Sequence, residues 1–226
     1  KNGLEENTLV IFTSDNGGMM NLGGRIAVKA GHKMNGDLLG FKFGAWEGGH
    51  RVPFIARWPG KVEAGSQSDQ LICNVDMLAS FMALTGQDPK TLEKKDSVNV
   101  LPAILENPTK PLRSELLIAP FRSNLLSIRK GKWMYIPGKG SGGFNGSKPN
   151  QHAWGGAPAV TFIGGKNSDI KNGKIKKGAP PAQLYDLGND RNQTKNIYAQ
   201  YPEVVKQMKA LLETYRPAPA KRHILP

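Results

Sequence analysis

The chain of 226 residues carries 31 lysines and arginines against 18 aspartates and glutamates, a formal net charge of +13, with 38% apolar residues. That length allows one domain and a fraction with a packed core of modest size, which excludes a largely disordered chain. A single cysteine excludes an internal disulfide framework and a zinc cluster, and no apolar run approaches the roughly 18 residues of a membrane-spanning helix.

The first element in chain order is an apolar run, Leu9-Val10-Ile11-Phe12, which predicts a buried core strand of parallel type over residues 8–12. Just beyond it stand Asp15 and Asn16, followed by Gly17 and Gly18. A carboxylate beside an amide carbonyl suits a hard cation such as calcium or magnesium, and glycines let backbone or ligand approach closely. Ligands in open α/β sheets collect beyond the carboxyl ends of strands, where this pair would sit. Asp-Asn-Gly is equally ordinary turn chemistry, and both readings stand at this point. A loop rich in Gly, Asn and Lys then runs through Gly44, long enough to suggest function.

Residues 54–58 are apolar enough for another core strand, stopped by Pro59-Gly60. Apolar positions in 75–84 predict a buried helix ended near Gly86, and Cys73 reads as a buried small apolar residue. Residues 102–111, bounded by prolines, read as a linker. Beyond it the pattern shortens to brief strands at 116–119, 125–129 and 132–136, with a hairpin turn over 129–132. A glycine-rich insertion over 138–178 carries Phe144, His152, Trp154 and Phe162, and 183–187 returns as a strand. Val204, Val205, Met208, Leu211, Leu212 and Tyr215 recur at helical spacing behind Pro202, which predicts a terminal amphipathic helix covering the sheet.

Charge divides unevenly along this order. Residues 1–105 hold 11 basic and 11 acidic side chains, whereas residues 106–226 hold 20 and 7, so the whole excess lies in the second part. Such a field favours a polyanion by raising its local concentration, and nucleic acid, anionic membrane and sulfated polysaccharide all answer to that description. Base-stacking aromatics are sparse there and no helix-turn-helix, RRM or zinc-finger pattern occurs, so no nucleic-acid partner is expected. A solvated basic surface without a ligand is the plain alternative.

A second segment sharpens the reading. It runs Gly40-Phe41-Lys42-Phe43-Gly44-Ala45-Trp46-Glu47-Gly48-Gly49-His50-Arg51-Val52-Pro53 and leads into a strand that ends in Trp58-Pro59-Gly60. Together with Ser14-Asp15-Asn16-Gly17, and with the tail Gln183-Leu184-Tyr185-Asp186-Leu187, Asp190 and Asn196, it resembles the sulfatase family over residues 7–216. The resemblance implies an α/β fold: part of an alkaline-phosphatase-like sheet sandwich over 1–105, then a small antiparallel β subdomain with a carboxyl-terminal helix over 106–226. It implies Asp15 and Asn16 as metal ligands, calcium ahead of magnesium, and Lys42 as the lysine that contacts sulfate. Three donors on a compact ammonium suit an oxyanion. Glu47 and Arg51 are expected to brace the loop, His50 to be packed or hydrogen-bonded, and His152 and Trp154 to offer a sugar hydrogen bonds and a stacking face.

The family nucleophile, a formylglycine made from Cys or Ser in Cys/Ser-x-Pro-x-Arg, has no counterpart here. Cys73 is followed by Asn74-Val75-Asp76-Met77, Ser147-Lys148-Pro149-Asn150-Gln151 ends in the wrong residue, and Thr109-Lys110-Pro111-Leu112-Arg113 falls after the metal pair. With Lys1 at the start and a core strand from about Thr8, the chain reads as the carboxyl half of a sulfatase. Its expected partners are the amino-terminal half and a sulfated carbohydrate or other anionic substrate. Alone it is expected to be inactive, and the family implies a periplasmic or secreted setting. Two other functions stay open: a phosphodiester or phosphonate hydrolase of the same superfamily, and a non-catalytic polyanion-binding module.

Overall fold

The computed structural model describes residues 2–20, 23–92, 96–146 and 154–216. Its centre is a four-stranded antiparallel sheet built from β3 (Glu115–Ile118), β4 (Ser127–Lys130), β5 (Trp133–Ile136) and β8 (Gln183–Asp186), in the order β3-β4-β5-β8. Gly131, at φ 54°, makes the tight β4–β5 turn in a conformation that side chains resist. Period-two alternation sends the strands' apolar residues to opposite faces. Met134, Ile136 and Tyr185 enter one core, and Ile128, Tyr135 and Leu184 the other.

The second face is closed by α5 (Pro202–Thr214), whose Val205, Met208 and Leu212 pack on Leu184 and Ile128. Pro202 opens this helix, where its missing N–H costs nothing. The first face is covered by Leu39, Phe41, Ala45 and Trp46 and by α4 (Gly156–Phe162), which contributes Ala159 and Val160. One core is thus shared by residues 20–46 and 118–187, so packing crosses the boundary expected at 105/106.

Within the glycine-rich insertion, for which no element had been placed, α4 is followed by a short hairpin of β6 (Ile170–Lys171) and β7 (Lys174–Ile175). Small side chains let α4 lie close under the sheet, and that burial outweighs the poor helix propensity of Gly156 and Pro158. The linker expected at 102–111 begins instead inside a short helix, α3 (Leu101–Leu105).

The amino-terminal strands depart further from expectation. β1 (Val10–Thr13) pairs antiparallel with β2 (Phe54–Arg57), Val10 opposite Arg57 and Thr13 opposite Phe54. The expected buried parallel strand is therefore an open two-stranded ribbon: Phe12 is 61% and Ile55 59% exposed. Each strand pairs only with the other among the described residues, and Phe12 and Ile55 lie opposite one another, whereas Ile11, Phe54 and Ala56 are half-buried. The helix expected as buried, α2 (Met77–Leu84), likewise leaves Leu78 and Phe81 exposed while Ala79 and Ser80 are buried. Cys73, expected as buried, is half-exposed. A buried pair anchors α2: Asp76 accepts from the guanidinium of Arg113 and from the backbone N–H groups of Cys73 (2.8 Å) and Val98 (2.9 Å). Between α1 (Gly24–Lys29) and β2 lies the segment that carries the site.

Candidate active site

Asp15 and Asn16 lie 26 residues or more before Lys42, and glycines bring them together. Gly17 N–H donates to Gly49 O at 3.0 Å, and Lys42 N–H donates to Gly18 O at 2.9 Å. A Cβ on Gly17 would stand 1.8 Å from Gly48 O, and one on Gly49 would stand 2.3 Å from Gly44 O. A side chain at Gly17 would push the two loops apart and one at Gly49 would open the 41–49 turn, so the Asp-Asn-Gly-Gly and Glu-Gly-Gly motifs are two halves of one backbone contact. Asn35 adds a strut, accepting from Gly18 N–H at 2.7 Å and donating to Gly40 O at 3.0 Å.

Asp15, Asn16 and Lys42 thereby line one cleft of about 1990 Å³, together with Arg51, Arg129 and Arg191. Asp15 is exposed, and Asn16 donates through Nδ2 to Gly17 O at 3.0 Å, which leaves its carbonyl oxygen turned to other partners. These two oxygens have the chemistry a hard cation takes but fall short of the roughly six to eight that calcium requires. Among the described residues no group of three or more His, Cys, Asp or Glu is arranged to hold a metal.

Glu47 is fully buried beneath Lys42's loop. It is bonded to Arg51 Nε through Oε2, its backbone N–H donates to Gln193 Oε1 at 2.7 Å, and its Oε1 has no hydrogen-bond partner among the described residues. His50 stands over it, Nε2 3.8 Å from Oε1. The same Nε2 lies 3.1 Å from Ala45 O, so it carries the proton in the neutral ring. Burial draws the His50 pKa below the ordinary value despite the pull of Glu47. The Arg129 guanidinium is also drawn down by burial, Glu47 opposing and Arg51 and Arg191 adding to the shift.

A second polar set, invisible in the residue spacing, holds this loop from the far side of the chain. Trp46 Nε1–H donates to Gln183 Oε1 at 2.9 Å, which also accepts from Tyr185 OH at 2.7 Å. Gln183 Nε2 donates to Gly138 O at 2.7 Å and Gly140 O at 2.8 Å. Asn167 Nδ2 reaches Tyr185 OH at 3.1 Å and Gln193 O at 2.7 Å. Burial pushes the Tyr185 hydroxyl far above its usual range, so it stays protonated and donating. Arg51 was readable from its motif as a brace of the loop, whereas Arg129 and Arg191 carried no individual signal, although the charge surplus of the second half pointed to their neighbourhood.

The remaining candidates fall elsewhere. Trp154, expected as a stacking face, is 4% exposed and packs edge-on against Phe162 in the core, ring centroids 5.0 Å apart. A buried indole offers no face to a sugar, which corrects that assignment. His152 lies outside the described residues.

Residues 1–87 match the family described as Sulfatase. Over 216 residues the chain is 32% identical to the N-acetylgalactosamine-6-O-sulfatase of Bacteroides thetaiotaomicron, which covers 94% of the chain and 37% of that protein. Over 101 residues it is 39% identical to human N-acetylgalactosamine-6-sulfatase, covering 45% of the chain and 18% of the relative. A solved Bacteroides thetaiotaomicron structure, described in work on the metabolism of multiple glycosaminoglycans, superposes with a TM-score of 0.66 at 29% identity, over 93% of the chain and 39% of its own length. The chain therefore spans little more than a third of the full-length relatives it matches end to end, and it belongs to the sulfatase family.

Proposed function

We propose that this chain contributes the metal-ligating strand end and the sulfate-contacting lysine of a sulfuric ester hydrolase that acts on a sulfated carbohydrate. The observation that carries the proposal is the backbone contact through Gly17, Gly18 and Gly49, which brings Asp15, Asn16 and Lys42 into one cleft with Arg51, Arg129 and Arg191. Asp15 and the Asn16 carbonyl would hold a calcium ion, completed by ligands outside the described residues. That ion would supply charge neutralisation for the sulfate oxygens. The formylglycine nucleophile would come from polypeptide outside this chain.

Hydrolysis of a sulfate ester builds negative charge on the sulfuryl oxygens, and a fixed ammonium is worth most where that charge grows. Lys42 is held for this task by its own N–H bond to Gly18 and by its ring contact with Phe43, the ammonium 5.2 Å from the ring centroid. Glu47 and Arg51 do no chemistry: their buried pair fixes the loop that presents Lys42. The sulfated-carbohydrate substrate class rests on the names of the two N-acetylgalactosamine-sulfatase relatives. A periplasmic or secreted setting is part of the same proposal, and among the described residues no helix is long and apolar enough to cross a membrane.

The test is kinetic. In the active enzyme containing this chain, Lys42→Ala should lower kcat/KM by about 100-fold or more on a sulfated sugar, as loss of an oxyanion donor does. A loss of less than about twofold would remove Lys42 from the reaction. Tight binding of sulfated polysaccharide with no calcium uptake at Asp15 would point instead to a polyanion-binding module.

A further inference from the structure

With Trp154 buried, the stacking face beside Lys42 has to be sought elsewhere. Three phenylalanines from distant parts of the chain meet there. Phe43 follows Lys42, Phe121 lies between β3 and β4, and Phe144 belongs to the glycine-rich insertion. Their ring centroids are 4.3 Å apart for Phe43 and Phe144, 4.8 Å for Phe121 and Phe144, and 6.2 Å for Phe43 and Phe121.

The cluster is held firmly but left open. Phe43 has φ 76°, a left-handed backbone that a bulky residue adopts only where its surroundings impose it. The surroundings do impose it: Phe43 O accepts from Phe121 N–H at 2.9 Å, and Gly143 passes so close that a Cβ there would stand 2.9 Å from Phe43 O. Phe121 nevertheless remains 64% exposed. Lys42 Nζ sits over Phe43, and Arg122, exposed and adjacent to Phe121 in the chain, donates its backbone N–H to Gly142 O at 2.8 Å. Neither Lys42 nor Arg122 forms an ion pair with a carboxylate among the described residues.

The exposed face of the Phe121 ring, in a cluster whose Phe43 carries an ammonium with no carboxylate partner, matches one kind of ligand: a pyranose ring with an apolar C–H face and an anionic substituent at its edge. We infer that Phe121, supported by Phe43 and Phe144, is the sugar-stacking platform of this site, binding a ring of the sulfated glycan while Lys42 takes the sulfate. This rests on the function proposed above and adds the residues that distinguish a sulfated sugar from sulfate itself. Phe121 acts in binding, not in bond cleavage.

The experiment is calorimetric titration of the complete enzyme that contains this chain, its nucleophile replaced so that nothing turns over, with calcium present, using inorganic sulfate and a disaccharide carrying N-acetylgalactosamine 6-sulfate. Phe121→Ala should weaken disaccharide binding by about fivefold and leave inorganic sulfate unchanged, with Phe121→Tyr restoring the affinity. Equal disaccharide affinity in wild type and Phe121→Ala would overturn the platform while leaving the sulfate site intact. If wild type binds neither ligand, the platform and the underlying functional reading fall together. Because Phe121 is exposed, circular dichroism of both variants should match wild type, and a lost fold in Phe121→Ala would itself contradict the exposed placement.

Discussion

The four-stranded sheet and the β1–β2 ribbon use similar sequences to opposite ends. In β4, β5 and β8 every apolar residue finds a cover, one face under α5 and the other under the Lys42 loop and α4. In β1 and β2 the same kind of residues, Val10, Phe12 and Ile55, meet solvent. The difference is not in β propensity, since both sets are rich in β-branched and aromatic residues, but in what the rest of the chain lays over them. Apolar patterning tells which residues want cover; only tertiary structure tells whether they get it.

The largest effect should come from the buried charge pair that ties α2 to the segment entering the central sheet. Asp76→Ala leaves the Arg113 guanidinium without its partner and two backbone donors unpaired, and should cost about 3–5 kcal/mol by urea unfolding. Next is the covered sheet itself: Leu184→Ala should cost about 3 kcal/mol, by lost burial and a residual cavity. Gly17→Ala follows at about 2 kcal/mol, because its Cβ meets Gly48 O and one loop must retreat. It should weaken calcium binding at Asp15 as well, which titration would read.

His50 gives a smaller effect with a definite sign. Its pKa is lowered on folding, so the unfolded chain takes up a proton first and stability falls as pH drops from about 6.5 through the folded pKa. Urea midpoints at pH 7.5 and 5 should show that loss, and His50→Gln should flatten it. Smallest of all, Phe12→Ala should change stability by under about 0.5 kcal/mol, as for an exposed position. A cost near that of Leu184→Ala would break the comparison, since it would mean that the ribbon is covered in solution.

Much of the covered sheet was legible in residue order. The short apolar runs read as strands at 132–136 and 183–187, and the helical spacing behind Pro202, describe elements whose burial agrees with their patterning. Helix α4 was not legible, because glycine and proline mark a loop and its stability comes from the fit of Ala159 and Val160 under the sheet. Lys42, Asp15 and Asn16 were readable through their motif neighbours, and the glycines between them now have a steric reason. Gln183 and Gln193 were not: neutral amides have no spacing signature, and their importance lies in bonds to residues far away in sequence. Trp154 misled because an indole in a glycine-rich stretch looks equally suited to a surface or a core. Phe121, the exposed ring of the phenylalanine cluster, lies one position from Arg122 and outside any motif.

Those long-range amide bonds bear on how the protein is made. Trp46 is tied to Gln183 across 137 residues and Glu47 to Gln193 across 146, so the segment presenting Lys42 leaves the ribosome long before its anchors exist. During synthesis that segment has to wait, its apolar Phe41 and Trp46 without their sheet, until β8 arrives and the loop can close. Contacts so distant in sequence also make folding slow. Maturation of the cleft is therefore a late event, and chains released before residue 193 would carry Asp15, Asn16 and Lys42 yet lack Gln193 to hold Lys42's loop in place.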